Sequence, residues 1–488
     1  MKRLLSFGAA LMLTAALAGC SSTGDVSSVS SAVGTSPSST AQSTTGGAPD
    51  STGSGGTSTP GSSQATTAGK TTSGNKDTTT KAPGLNFNGY EFVLGTVYPD
   101  NYQPGGSTAT ELNNKFKELE DKYNVKITVK SYNPDSCTQQ ISNEVMAGGA
   151  VPNVLEVPIT TARNLVVSDM LADMKGFSDI KLDHGNFLAW CTDSFTWGGK
   201  VYATATFYGG YLGVFFNNDL IKKNMPGTDI YKLYKDGKWT WDKMREIAIG
   251  NTKDTNGDRR TDLYGIAANS TIIGSAFNSS AGGTAIRQGD TIKAVMCDQA
   301  GIDALSYLKR LFKEDGVMKY VTNASDALNM FINETAAMFP FYLSWAPGEL
   351  GPNVNFDMGF VPFPKPTESD KHNAVAYDMG VYAIPRTMKD KQQTGVILNE
   401  LSAMGKVSES KYIESLRNAG LSEDGINVFK AMNSDVTMDY SLGPDFGSLN
   451  NQKIENCVIV SATQPAATIN GIKTAMQKAC DDYYGQFK

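Results

Sequence analysis

The stretch Tyr90-Glu-Phe-Val-Leu-Gly-Thr96 is rich in apolar and aromatic residues and reads as a strand. Reading outward from it gives the grammar of the fold. A Gly/Pro-rich loop, 97–107, carries Tyr98, Asp100 and Tyr102. Leu112, Phe116, Leu119 and Tyr123 then recur at helical spacing with Glu and Lys between them. Val125, Ile127 and Val129 alternate with Lys126, Thr128 and Lys130, as in a half-buried strand. A helix starting with Asp135 as N-cap would bury Cys137, Ile141 and Val145 and end at Gly148-Gly149. Val154 to Val157 is the next strand. Strand and helix alternating in this way predict an α/β layer with parallel pairing. Ligands of such sheets sit beyond the carboxyl ends of the strands, so the loops after Thr96 and Val157 flank a candidate site.

Upstream, Met1-Lys2-Arg3 precedes an apolar run to Leu17 that is too short and interrupted for a comfortable membrane span. A positive start, an apolar middle and small residues describe an export signal over 1–19. Leu17-Ala18-Gly19-Cys20 resembles the lipobox of bacterial lipoproteins, which implies lipidation of Cys20 (palmitate among the acyl chains) after cleavage; an ordinary secretory signal with a chance Cys is the alternative. Two or more acyl chains suffice for stable membrane attachment. From Ser21 to Thr80 there is no Phe, Tyr, Trp, Leu, Ile or Met. Such a Ser/Thr/Gly/Ala chain cannot offset its ordering entropy and is expected to be a disordered tether over 20–84. As a flexible coil of about 60 residues it spans on the order of 45 Å.

The remaining residues, about 400, exceed one ordinary core and favour two domains. The net charge of −6 argues against nucleic acid or an anionic surface as partner. Six cysteines are present; with Cys20 set aside, Cys137, Cys191, Cys297, Cys457 and Cys480 are an odd set without metal-site spacing. Disulfides and free buried thiols both remain open.

Further fragments give the chain a family resemblance. Ala147-Gly-Gly-Ala-Val-Pro-Asn-Val154 resembles the A-G-x-x-P-D-V turn of extracellular solute-binding proteins, family 1, with Asn153 for Asp. In the expected order come Gly199-Lys-Val-Tyr202 for G-K-x-Y, Phe216-Asn-Asn-Asp-Leu220 for Y-N-K-D-L, and Thr240-Trp-Asp242 for T-W-D-E. Thr335-Ala-Ala-Met338 with Trp345 resembles A-A-M…W, and 356–364 resembles I-G-x-x-P-x-P. The resemblance, of the maltose-binding-protein type, implies a two-lobed periplasmic-binding-protein-like fold (type II) with a hinge, preceded by the tether. It implies lobe one over 85–213 and 378–436, and lobe two over 214–377 and 437–488. It also implies a monomeric receptor on the outer face of the membrane, of the Gram-positive kind, that hands a solute to ABC permease subunits.

Sugars present apolar C–H faces to flat rings and hydroxyls to polar side chains. Trp345, which matches the family's stacking Trp, is the first candidate contact, against burial in the core. Tyr208 and Tyr211 precede the first crossing, and Asp378 lies at the return crossing. Tyr98, Asp100, Glu156 and Trp197 follow, whereas Trp190, Trp239 and Trp241 read as packing residues. Asp254, Asn256, Asp258, Arg260 (through its carbonyl) and Asp262 resemble a calcium loop of the EF-hand kind. Arg259 stands where that loop needs Gly, and Gly265 where it needs a bidentate Glu. A structural Ca2+ and an ion-free Asp/Asn-rich turn are both open. His184 and His372 stand in no nucleophile or metal motif, and Gly-x-Ser-x-Gly and P-loop patterns are absent. A sugar receptor is the expectation, no catalytic residue is assigned, and the rivals are a tethered extracellular glycosidase and a binder of a peptide or organic anion.

Overall fold

The computed structural model describes residues 84–488 except 104, 105, 107, 150, 184, 445–450, 461 and 488. The signal segment, Cys20 and the tether therefore lie outside the described residues. Strand β1 (Tyr90–Thr96) is followed by helix α1 (Ala109–Tyr123), β2 (Val125–Ser131), α2 (Cys137–Ala147), β3 (Val154–Pro158) and α3 (Ile159–Val167). Alternation in β2 turns Val125 and Ile127 inward, and the α1 stripe buries Phe116, Leu119 and Tyr123. Helix α2 begins at Cys137 with Ser136 rather than Asp135 as N-cap, and Gly148, at φ 62°, ends it in the left-handed conformation that glycine adopts without strain.

Two five-stranded sheets organise the chain. In the first, β2, β1 and β3 are parallel; Gly380–Ala383 pairs antiparallel with β3, and Ala203–Thr204 closes the far edge. In the second the order is Met318–Tyr320, Tyr264–Ala268, Ala336–Tyr342, Leu212–Asn217 and Met358–Pro362. Val214, Phe215, Phe216, Phe339 and Phe360 are fully buried, as expected of a sheet covered on both faces.

Crossing segments and a hinge strand join the two sheets. The chain leaves the first sheet at Thr204 and joins the second at Leu212, and it returns through Ala374–Ala376 to Gly380. Val436–Met438 lies parallel to Ala374–Ala376, and the Asp439 amide donates to the Ala376 carbonyl at 2.8 Å. This is the two-lobed type II architecture with its hinge.

One stretch departs from the lobe-one assignment of 378–436. Lys391–Ser402 packs on α1 and β1, but Glu423–Met432 packs on the second-sheet edge strand Met358–Pro362. Lys235 and Asp424 pair at 2.6 Å beside that contact, and the Tyr231 hydroxyl accepts from the Phe360 amide at 3.2 Å. The helix stripe of Ile426, Phe429 and Met432 suits either sheet, and the uncovered edge strand is what it meets. The five described cysteines are all buried and free.

Candidate functional site

The hinge gathers side chains from both sheets around Asp378. Asp378 lies between the crossing segment Ala374–Ala376 and Gly380–Ala383. Burial pushes its carboxyl up to about 6, against the Met379 and Ile159 amides and the Arg163 charge, which favour ionisation. One of its oxygens, Oδ1, is shut off from solvent and has no hydrogen-bond partner.

Tyr98 reaches the same place from the loop after β1. Its amide donates to Thr96 Oγ1 at 2.9 Å, and its ring passes within 3.0 Å of where a side chain on Gly380 would begin. A larger residue there would press the ring aside by a few tenths of an ångström. The Tyr98 hydroxyl is also buried without a partner, and burial, then the charges of Asp378 and Glu156, raise its pKa. Two orphaned polar atoms in one hinge are unusual, because buried polar groups are nearly always paired.

Tyr208 lies on the crossing segment before Leu212. Its hydroxyl donates to the Gly210 carbonyl at 2.9 Å and accepts from the Tyr377 amide at 3.4 Å. Its ring meets Tyr211 edge-on at 4.8 Å and Trp190 at 5.9 Å. From the second sheet comes Tyr342, at the end of Ala336–Tyr342, half-buried, with its hydroxyl pushed up to about 12 by burial and then by Asp378 and Asp439. Tyr377, half-buried, feels the same two carboxylates. Neither Tyr342 nor Tyr377 was singled out from the sequence. The signals were adjacency to Asp378 for one and a place three residues before Trp345 for the other.

The remaining candidates fall into different settings. Trp345 ends the turn Leu343–Trp345, half-buried, edge-on to Phe341 at 4.3 Å. Glu156 faces the polar end of β3, where Oε2 accepts from Thr96 Oγ1 at 2.7 Å and the Tyr102 hydroxyl at 2.9 Å; burial raises its pKa. It braces the Tyr98 loop. Tyr211 is fully buried, with its hydroxyl donating to Asn433 Oδ1 at 2.5 Å, so it backs Tyr208 and leaves no face for a solute. Trp197 is a correction of the same kind. Tyr484 stacks on it at 5.8 Å, Phe487 lies at 4.8 Å, and the Arg287 guanidinium sits 4.1 Å from its ring centroid, so packing consumes the indole. Asp100 is exposed on the turn Pro99–Tyr102. Trp239 and Trp241 are core residues whose indole N–H groups donate to the Pro362 carbonyl and Ser279 Oγ.

Sequence reasoning also passed over Arg163 of α3. It is buried, its Nη1 and Nη2 donate to the carbonyls of Leu442 and Asp439, and its guanidinium lies 4.9 Å from the Tyr440 ring centroid. It ties the first sheet's helix to the chain just past the hinge strand Val436–Met438.

The loop between Trp241–Gly250 and Tyr264–Ala268 closes on its own amides. Asp254 Oδ1 accepts from Gly257 N and Oδ2 from Arg259 N, while Asp262 Oδ2 accepts from Thr255 N. Asn256 Oδ1 and Asp258 Oδ1 accept from the amides of Asp258 and Arg260. Arg259 adopts φ 69°, the left-handed conformation for which Gly is preferred. No three His, Cys, Asp or Glu side chains among the described residues converge as a cation site.

Residues 114–403 match the family described as bacterial extracellular solute-binding protein. The chain belongs to this family. No curated protein sequence matches it. Among solved structures it is similar to the sugar-binding protein MalE of Xanthomonas citri, with 14% identity, a TM-score of 0.60, and coverage of 80% of this chain and 98% of that one. It is also similar to the GacH receptor of Streptomyces glaucescens, with 14% identity, a TM-score of 0.57, and coverage of 81% and 99%. UgpB of Mycobacterium tuberculosis gives 13% identity, a TM-score of 0.55, and coverage of 81% and 99%. At these identities the likeness shows the fold, which is shared across the full length of each neighbour. Members of this solute-binding family are receptors rather than enzymes. No described helix of this one is long and apolar enough to cross a membrane.

Proposed function

We propose that this solute-binding protein is a lipid-anchored receptor that takes up a carbohydrate at the hinge and passes it to an ABC permease. The observation that carries the reading is the ring-lined group of Tyr98, Tyr208, Tyr342 and Tyr377 around Asp378, with Tyr98 Oη and Asp378 Oδ1 buried and unpartnered. Flat rings beside a few polar atoms suit a sugar. Each orphaned atom costs about 1–3 kcal/mol until a ligand supplies its partner, so closing on solute is favoured over closing empty. Trp345 is assigned a stacking contact. The neighbours point the same way: the GacH receptor was solved with acarbose, and MalE is a sugar-binding protein, although UgpB holds glycerophosphocholine.

The test is a thermal-shift screen of the full-length chain against malto-oligosaccharides, other disaccharides, peptides and organic acids. A ligand at about 100 times its Kd stabilises the folded form by roughly 2.7 kcal/mol. A shift with a peptide and with no sugar overturns the carbohydrate reading. Release of monosaccharide from the bound oligosaccharide would replace the receptor with a glycosidase. The anchor at Cys20 is checked by incorporation of labelled palmitate, which Cys20→Ala should abolish while releasing the protein from the membrane.

A further inference from the structure

The hinge group also constrains the charge of its solute, and this step rests on the carbohydrate reading above. Asp378 Oδ1 is a buried carboxylate oxygen with no donor, and Tyr98 Oη, whose ring lies against Gly380 two residues on, is equally unpartnered. Beyond burial, the carboxylates Asp378 and Glu156 raise the Tyr98 hydroxyl. Those acting on Tyr342 are Asp378 and Asp439. Tyr377 feels Tyr342, Asp439 and Asp378. Among the described residues Arg163 favours the ionised form of Asp378, and its guanidinium is committed elsewhere. Its Nη1 and Nη2 donate to the carbonyls of Leu442 and Asp439, and the rings of Tyr440, Tyr484 and Phe195 surround it.

Four solute chemistries can be set against this group. A carboxylate or phosphate brings a second negative charge beside Asp378 and no donor for it. A neutral hydroxyl donates a hydrogen bond but leaves the carboxylate charge uncompensated. A quaternary ammonium brings charge, and suits the rings, but has no N–H for Oδ1. A protonated primary amine brings both, and charge-assisted hydrogen bonds are the strong ones. We propose that the preferred solute is an amino sugar, seated with its ammonium donating to Asp378 Oδ1 and a neighbouring ring or hydroxyl oxygen accepting from Tyr98 Oη. Tyr342 and Tyr377 then face a cation from either side of the hinge, and the sugar keeps its C–H faces for the rings.

The experiment is isothermal titration of the full-length chain near neutral pH with a glucosamine disaccharide, its N-acetylated form, the glucose and glucuronic acid disaccharides, and choline. The amine sugar should bind about tenfold or more tighter than the acetylated and glucose forms, and the glucuronic acid form weakest. In Asp378→Asn the preference for amine over neutral sugar should fall to about one. Equal affinity for amine and neutral sugars, or choline binding as well as the amine, overturns the proposal. So does an amine preference that survives in a folded Asp378→Asn variant. The ligand series on the unaltered chain decides the matter even if that variant does not fold. Neutral sugars binding without an amine preference defeat this inference alone; binding of no sugar at all defeats it together with the carbohydrate reading.

Discussion

Replacing Arg163 with Met keeps side-chain length and removes the guanidinium. In the folded chain Arg163 is 2% exposed, Nη1 donates to the Leu442 carbonyl at 2.7 Å, and Nη2 to the Asp439 carbonyl at 3.2 Å. Its guanidinium lies 4.9, 5.8 and 5.9 Å from the ring centroids of Tyr440, Tyr484 and Phe195. Stranding the buried Asp439 carbonyl costs about 1–3 kcal/mol, whereas the half-buried Leu442 carbonyl keeps a donor in Tyr484 Oη at 3.2 Å; the lost cation–π contacts add roughly 1–2 kcal/mol. Against this, Met spares the desolvation of a charge, which returns part of the loss. The net loss is about 1–3 kcal/mol. For a compact unit of about 400 residues that corresponds to a drop of roughly 1–4 °C in Tm. Denaturant titration with an unchanged m-value, supported by calorimetry, reads it. Arg163→Lys keeps the charge but as a point donor without the fork that spans two carbonyls, so it should fall between parent and Arg163→Met. Amide exchange should accelerate first at 439–442. A variant within about 0.5 kcal/mol of the parent, or a Lys variant less stable than the Met one, would refute the reasoning.

Other expectations concern acid stability, the solute and the Asp254–Asp262 loop. Burial pushes the Glu400 carboxyl up, but hydrogen bonds from Lys122, Tyr123 and Lys115 outweigh it and hold it at about 2 rather than 4.5. Because the folded pKa is depressed, this stabilisation is complete above about pH 4.5 and is lost as pH falls toward about 2; partial exposure limits it to about 1–2 kcal/mol. Glu400→Gln should flatten the stability curve in that window, and an unchanged acid limb contradicts the assignment. Trp345→Ala should weaken sugar binding by about 1–2 kcal/mol, or roughly 5–30-fold in Kd, through the lost stacking face. An unchanged Kd by titration calorimetry removes Trp345 from the site. If the Asp254–Asp262 loop takes up calcium, saturating Ca2+ should raise Tm relative to chelator, and Asp254→Asn should abolish the difference. Identical melting under both conditions ends that proposal.

Periodicity made much of the first lobe legible. Alternation in Val125–Ser131 and the helical stripe Phe116, Leu119, Tyr123 appear in the fold as read, because each depends on which face of one element is apolar. Asp378 and Tyr208 were singled out because they stand at crossings that the family resemblance implied, and both lie at the hinge of the fold. Tyr211 and Trp197 were misplaced for the converse reason. An aromatic residue beside a crossing offers a sequence no sign of whether its ring will be spent on Asn433 and Phe429, or on Tyr484, Phe487 and Arg287. Glu423–Met432 met the second sheet rather than the first because an amphipathic stripe names its face and not its partner.

The amino-acid sequence by itself determined the α/β alternation through local pattern, and the resemblance of its ordered motifs to the family implied the two lobes and the crossings at which Tyr208 and Asp378 stand. Only the tertiary structure decided that Tyr98 Oη and Asp378 Oδ1 are left without partners and that Arg163 is already committed to Leu442 and Asp439. Hydrogen-bond satisfaction depends on atoms brought together from distant parts of the chain: Arg163 and Leu442 are 279 residues apart in sequence. No local pattern encodes such a meeting.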